Sequence, residues 1–150
     1  TPVMRSHEGN RPRENMQLDQ DPVVLSHFAR MTRLYRHLAP YLKTLSAEAV
    51  ARGLPVQRPL FLHYQHDRET YTIQDSYLYG ADLLVAPVWK AGEENRVLYL
   101  PNGETWVHVW SGEEFSGGVE VSVSAPLGRP AVFYKAGSAH QSLFAALKEI

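Results

Sequence analysis

An α/β part followed by an all-β part is the fold class this sequence predicts, and three observations predict it. Apolar residues recur at spacings of three and four over residues 22–52, as on one face of a helix. After about Gly80 that spacing gives way to short runs with a period of two. Gly and Pro break those runs at regular intervals. Residues 1–80 are therefore expected to be helix-rich. Residues 81–150 are expected to form an antiparallel sheet or small β-sandwich that closes on a terminal helix.

The elements follow in order. Asp21-Pro22 starts a helix, because Asp accepts from the free N–H groups and Pro suits the first helical position. Val24, Phe28, Met31, Tyr35, Leu38, Leu42, Leu45 and Ala49 continue the apolar stripe. Gly53 ends it, with Pro55 just beyond. Pro40 removes one backbone hydrogen bond, so the spacing predicts one kinked helix or two abutting ones over 22–52. A short strand is expected in "VQRPLFLHY" (56–64) and a brief helix over 71–79. "DLLVAPV" (82–88) and "RVLYLP" (96–101) read as strands, the second followed by an Asn102-Gly103 turn. "TWVHVW" (105–110) alternates, placing Trp106, His108 and Trp110 on one face. Residues 117–126 alternate through Val119, Val121 and Val123, and "PAVFY" (130–134) is a last strand. Ser138 and Gln141 suggest a capping box for a helix through Ile150, with Leu143, Leu147 and Ile150 inward.

Composition excludes several function classes. A chain of 150 residues with a net charge of −1 gives no reason to expect nucleic acid or anionic lipid as a partner. No apolar run approaches the roughly 20 residues that span a bilayer. With no cysteine there is no disulfide framework and no thiol nucleophile, which fits a reducing, cytoplasmic setting. The start at Thr1 suggests a fragment of a longer protein. There is no Gly-rich phosphate loop, no serine nucleophile elbow and no pair of His at metal spacing on one helix face, so neither a metal nor a cofactor is expected. The acidic runs "DQD" (19–21) and "HDRE" (66–69) read as caps and loop surface. Trp89, Trp106 and Trp110 are either sheet packing or a platform for sugar rings. Pattern alone names no activity.

A set of longer motifs goes further. "MRSHEGNRPRENMQLDQDP" resembles the Arg-x-His segment that follows the catalytic acid in family 31 glycoside hydrolases, the retaining α-glucosidase family. Four later blocks appear in the family's order: "GLPVQRPLFLHY", "QDSYLYGADLLVAPV", "LYLPNGETWVHVWSG" and "APLGRPAVFYKAGS". "RSHEG" and "LFLHY" are most similar to the family's bacterial, sulfoquinovoside-cleaving branch.

The resemblance implies that residues 1–80 are the last part of a catalytic (β/α)8 barrel. It implies that residues 81–150 are the β-domain beside that barrel. Barrel sites lie at the C-terminal ends of the strands. The charged N-terminal stretch would then be one arc of a sugar site. His7 would hydrogen-bond a ring hydroxyl of the bound sugar, with Arg5 and His63 as supporting residues. The two catalytic aspartates of the family would lie upstream of Thr1, leaving no catalytic residue in this chain and no activity in it alone. The implied substrate is an α-glycoside of a sulfonated sugar, and a homo-oligomeric parent stays open. An α-glucosidase or α-xylosidase parent remains an alternative, as does a non-catalytic carbohydrate-binding or scaffold role for the β-domain. The binding-module alternative requires Trp106 and Trp110 both to stand on an open face.

Overall fold

The computed structural model describes Glu14 and residues 17–150. Helix α1 runs Pro22–His37 and α2 runs Ala39–Arg52. The Asp21 carboxylate accepts from the amides of Val23 at 2.7 Å and Val24 at 3.3 Å, the expected cap. The two helices abut at Leu38, because Pro40 has no N–H to carry the ladder across. Gly53 closes α2 at φ 71°. The stripe is buried unevenly. Tyr41 and Leu45 of α2 are buried, whereas α1 has no fully buried residue.

Eight strands follow: β1 Gln57–Arg58, β2 Tyr77–Tyr79, β3 Leu83–Ala86, β4 Asn95–Leu100, β5 Thr105–His108, β6 Glu114–Ser116, β7 Val119–Ser124 and β8 Ala131–Lys135. Six of them form one sheet in the order β1-β2-β3-β8-β5-β6, and β4 pairs with β7 in a second. Every strand pair among the described residues is antiparallel. The faces of the large sheet are both covered. On one, Leu98, Leu100 and Val123 of the β4–β7 pair pack on Leu84, Trp106 and Phe133. On the other, Tyr41 and Leu45 of α2 pack on Leu83, Val107 and Tyr134, together with Phe144 and Leu147 of the C-terminal segment.

Several expectations need correction. The strand expected over 56–64 is only Gln57–Arg58. Pro59 cannot donate to a ladder, and the chain folds into a 3-10 turn over Leu60–Leu62, with His63 N–H donating to Leu60 O at 3.1 Å. The helix expected over 71–79 is absent. A 3-10 turn covers Arg68–Tyr71, and "YLY" then enters the sheet as β2, where Leu78 is fully buried. The Asn102-Gly103 turn closes no hairpin, because it carries the chain from one sheet to the other. Strand β6 was not foreseen. Trp110 does not share a face with Trp106, because β5 ends at His108 and the chain turns there, with Gly112 N–H on His108 O at 2.8 Å. The last helix, α3, spans only Gln141–Ala145, and Ala146–Glu149 tightens to 3-10. Its most buried residue is Phe144, outside the expected inward set.

The expected division near Gly80 falls between β2 and β3, which are paired neighbours in one sheet. Gly80 is a packing point there. Its φ is 68°, and a Cβ on it would collide with the Tyr41 hydroxyl and Leu45 Cδ2 of α2. Tyr41 fixes the junction by donating to Tyr79 O at 2.9 Å and accepting from Asp82 N–H at 3.2 Å.

Candidate functional site

Two of the sequence-predicted site residues, His7 and Arg5, lie outside the described residues. His63 is described, and the site is built from it. Pro59 stops β1, the following 3-10 turn reverses the chain, and His63 ends that turn half-buried.

His63 is fixed by an arginine that the apolar run "VQRPLFL" hides. Arg58 is fully buried, so each of its donors needs a partner. Its Nε donates to Pro55 O at 2.6 Å, its Nη1 to His63 Nε2 at 2.9 Å and its Nη2 to the Glu48 carboxylate of α2. Glu48 also accepts from Arg52 Nη1 at 2.7 Å. Because Arg58 can only donate, His63 Nε2 accepts and the ring proton sits on Nδ1. Burial lowers the His63 pKa, and the charge of Arg58 lowers it further. The hydrogen bond from Arg58 holds the Glu48 carboxyl below its usual range. The result is a neutral imidazole in one tautomer, braced from α2. Such a group orients a neighbour; near neutral pH it carries no charge to offer.

His63 also lines a cleft of about 430 Å³ between the 63–69 segment and the Asn102–Gly103 turn. His66, Arg68 and Glu69 line it too. Asp67 is more than the loop surface the sequence suggested. One of its oxygens accepts from the Tyr99 hydroxyl and from Asn102 N–H, each at 2.9 Å, and so ties the 63–69 segment to the second sheet. Burial and the Asp67 charge push the Tyr99 phenol up to about 12. Asp67 is thus committed to structure. Arg58, Glu48 and Asp67 were missed as a set. The one available signal was a charged residue inside an apolar run, which must be paired if that run is buried.

The tryptophans divide. Trp106 is fully buried and its indole N–H donates to Pro101 O at 3.0 Å. Trp110 is half-buried and donates to Pro130 O at 2.6 Å. The binding-module alternative therefore fails its condition, since Trp106 is on no open face.

Comparison with known proteins agrees with this architecture. Residues 53–139 match the glycosyl hydrolase family 31 C-terminal domain. The chain belongs to glycosyl hydrolase family 31. It is 65% identical over all its 150 residues to a sulfoquinovosidase of Agrobacterium fabrum and 55% identical to one of Escherichia coli. It spans 23% and 22% of those two proteins. Among solved structures it is similar to a family 31 sulfoquinovosidase from E. rectale in complex with an aza-sugar inhibitor. That match has 46% identity and a TM-score of 0.93, and covers 99% of this chain and 22% of the other. It is also similar to a family 31 alpha-xylosidase from a soil metagenome complexed with xylose, at 32% identity and a TM-score of 0.82, covering 87% of this chain and 19% of the other.

Proposed function

We propose that this chain is part of a retaining α-glycosidase that hydrolyses α-sulfoquinovosides. The observation that carries the reading is identity of 65% and 55% along the whole chain to two sulfoquinovosidases. In this reading the nucleophile and the acid/base are carboxylates of the longer polypeptide, about 5–5.5 Å apart as retention requires. His7 hydrogen-bonds a ring hydroxyl of the sugar at the cleavage point. Arg5 and His63 support that arc, His63 through the Arg58–Glu48 brace. In this reading residues 1–80 are the last part of the barrel and residues 81–150 the β-domain, with β1 and β2 joined to β3 across that boundary. The absence of cysteine supports a cytoplasmic setting.

The test is kcat/KM of the complete enzyme on an aryl α-sulfoquinovoside and on the matching α-glucoside. A site built to pair a fixed sulfonate leaves its own cation unpaired when the 6-hydroxyl analogue binds, so the sulfonated substrate wins. Equal values favour an α-glucosidase. In the same enzyme His7→Ala lowers kcat/KM by roughly 10²–10⁴-fold, each factor of ten being about 1.36 kcal/mol of transition-state stabilisation. An effect within about threefold removes His7 from the site. His63→Ala is expected to lower it less, consistent with a residue that supports others.

A further inference from the structure

A second surface has the chemistry of a saccharide site. Trp89 follows β3 by three residues and is 64% exposed among the described residues, unlike the buried Trp106. It borders a groove of about 350 Å³ whose other residues include Gln57, Gln74, Asp75, Tyr77 and Pro87. Strand register puts these together. Gln57 of β1 pairs with Tyr79 of β2, so Gln57 and Tyr77 share one face of the sheet, and Tyr77 pairs in turn with Val85 of β3.

The Lys90 ammonium sits over the ring, 4.8 Å from its centre. Lys90 lines a neighbouring groove with Leu127 and takes no part in the Gln57–Tyr77 groove. The Lys90 ammonium thus occupies one face of Trp89, and the indole also lines the Gln57–Tyr77 groove. Within that groove, planar amides and a carboxylate sit beside an aromatic plate. A pyranose offers the matching surfaces: an apolar face of C–H groups to stack and a rim of hydroxyls to hydrogen-bond. Among the described residues that line the groove, none is a cation. Arg96 is spent on the Asp75 carboxylate, whose side chain remains half-exposed as an acceptor. Its chemistry therefore fits an uncharged sugar and has nothing to pair with a sulfonate.

We infer that this groove is a binding site for neutral pyranosides, with Trp89 stacking one sugar ring and Gln57, Gln74 and Asp75 holding its hydroxyls. It is separate from the cleft at His63 and does not rest on the proposed hydrolytic activity. The experiment is native affinity electrophoresis of the complete enzyme in gels with and without dextran, a neutral α-glucan. The wild-type protein is expected to be retarded by dextran. Trp89→Ala weakens the interaction by roughly tenfold or more, and Trp89→Phe keeps part of it. Gln74→Arg, which fills the groove from an exposed position, abolishes retardation by a second route and gives the reading if Trp89→Ala lowers the melting temperature. Turnover of a small aryl α-sulfoquinovoside is measured on every variant and is expected to be unchanged. No retardation of the wild type, or retardation of both groove variants equal to that of the wild type, overturns the inference. Parallel loss of retardation and turnover also overturns it, because the groove would then be part of the active site. An enzyme without turnover but with Trp89-dependent retardation would refute the proposed reaction and leave the groove standing.

Discussion

The two faces of the six-stranded sheet are covered by different physics. The face under β4 and β7 is closed by interdigitating apolar side chains, with Trp106, Phe133, Leu84 and Leu100 all fully buried. The helical face is closed by α2 and α3, with Leu34 of α1 packed beside them, and α1 adds polar contacts of its own. Arg30 Nη1 donates to Gly128 O at 2.6 Å and the guanidinium lies 5.4 Å over the Trp110 ring. His37 Nε2 bonds Leu143 O at 2.8 Å. Val23 of α1 is 77% exposed among the described residues. Periodicity locates an apolar stripe; it does not say how deeply the stripe is buried.

The largest effect should separate the faces directly. Phe133→Ala removes a fully buried ring that touches His108 and Phe115 and is expected to cost about 3–5 kcal/mol. Phe28→Ala on the half-buried face of α1 should cost less than about 1.5 kcal/mol. Denaturant midpoints of the two variants decide. Comparable losses would break the contrast between the faces.

What was legible in the sequence follows the same line. The strands at 82–88, 96–101, 117–126 and 130–134 showed because alternation or a compact apolar run reports burial in a sheet. Asp21, Gly53 and Pro40 showed because caps and breakers act locally. "YLY" at 77–79 was read as helix because three residues carry too little period to choose. "RPLFLHY" was read as strand because its composition suits one, yet Pro59 forbids the ladder. The pairing of β4 with β7 was not legible, since the Asn-Gly signal is local and the partner lies some twenty residues away. At the site, His63 could be named from resemblance, but its bond to Arg58 depends on a buried ion pair that spacing does not encode. His7 and Arg5 rest on resemblance alone.

Gly80 sharpens the comparison on the helical face. Gly80→Ala places a side chain at positive φ and into the Tyr41 and Leu45 side chains, an expected cost of about 2–4 kcal/mol. Gly53 has nearly the same φ of 71° but open space around it, so Gly53→Ala should cost only about 1 kcal/mol. Equal midpoints for the two would show that α2 does not press on the β2–β3 junction.

Arg58→Met tests the brace between α2 and β1. It removes the donors to Pro55 O, His63 and Glu48 at once, and about 1–3 kcal/mol is expected because Glu48 is partly exposed and can rehydrate. The double variant Arg58→Met, Glu48→Leu should recover part of the loss, since the stranded carboxylate goes with its partner. A double variant as unstable as the sum of both single changes would show that the pair is not the unit.

The smallest effect is a slope in pH, and it compares the two histidines whose pKa burial lowers. His108, between the sheets, has Nδ1 on Ser111 Oγ at 2.9 Å, and its buried Nε2 has no partner among the described residues. His63, braced from α2 through Arg58, faces Arg58, Glu48, Arg52 and Lys135. Burial is the main cause that lowers both pKa values. In the unfolded chain each titrates near the ordinary value of about 6.5. As pH falls below that value the unfolded state takes up a proton that the folded state still refuses, so stability decreases on acidification through the depressed folded pKa and is fully present above the unfolded one. Protonated His63 would turn a second donor and a second cation toward Arg58, whereas protonated His108 would bury an N–H with no acceptor. His63→Gln and His108→Gln should each flatten the loss of stability between about pH 7 and pH 5. In an Arg58→Met background, His63→Gln should flatten it less, because part of what opposes the proton on His63 is already gone. Unfolding midpoints measured across that range for the wild type, both single variants, Arg58→Met and the Arg58→Met, His63→Gln double variant check the sign and the coupling. A wild-type protein that gains stability as pH falls would overturn the neutral state of both imidazoles.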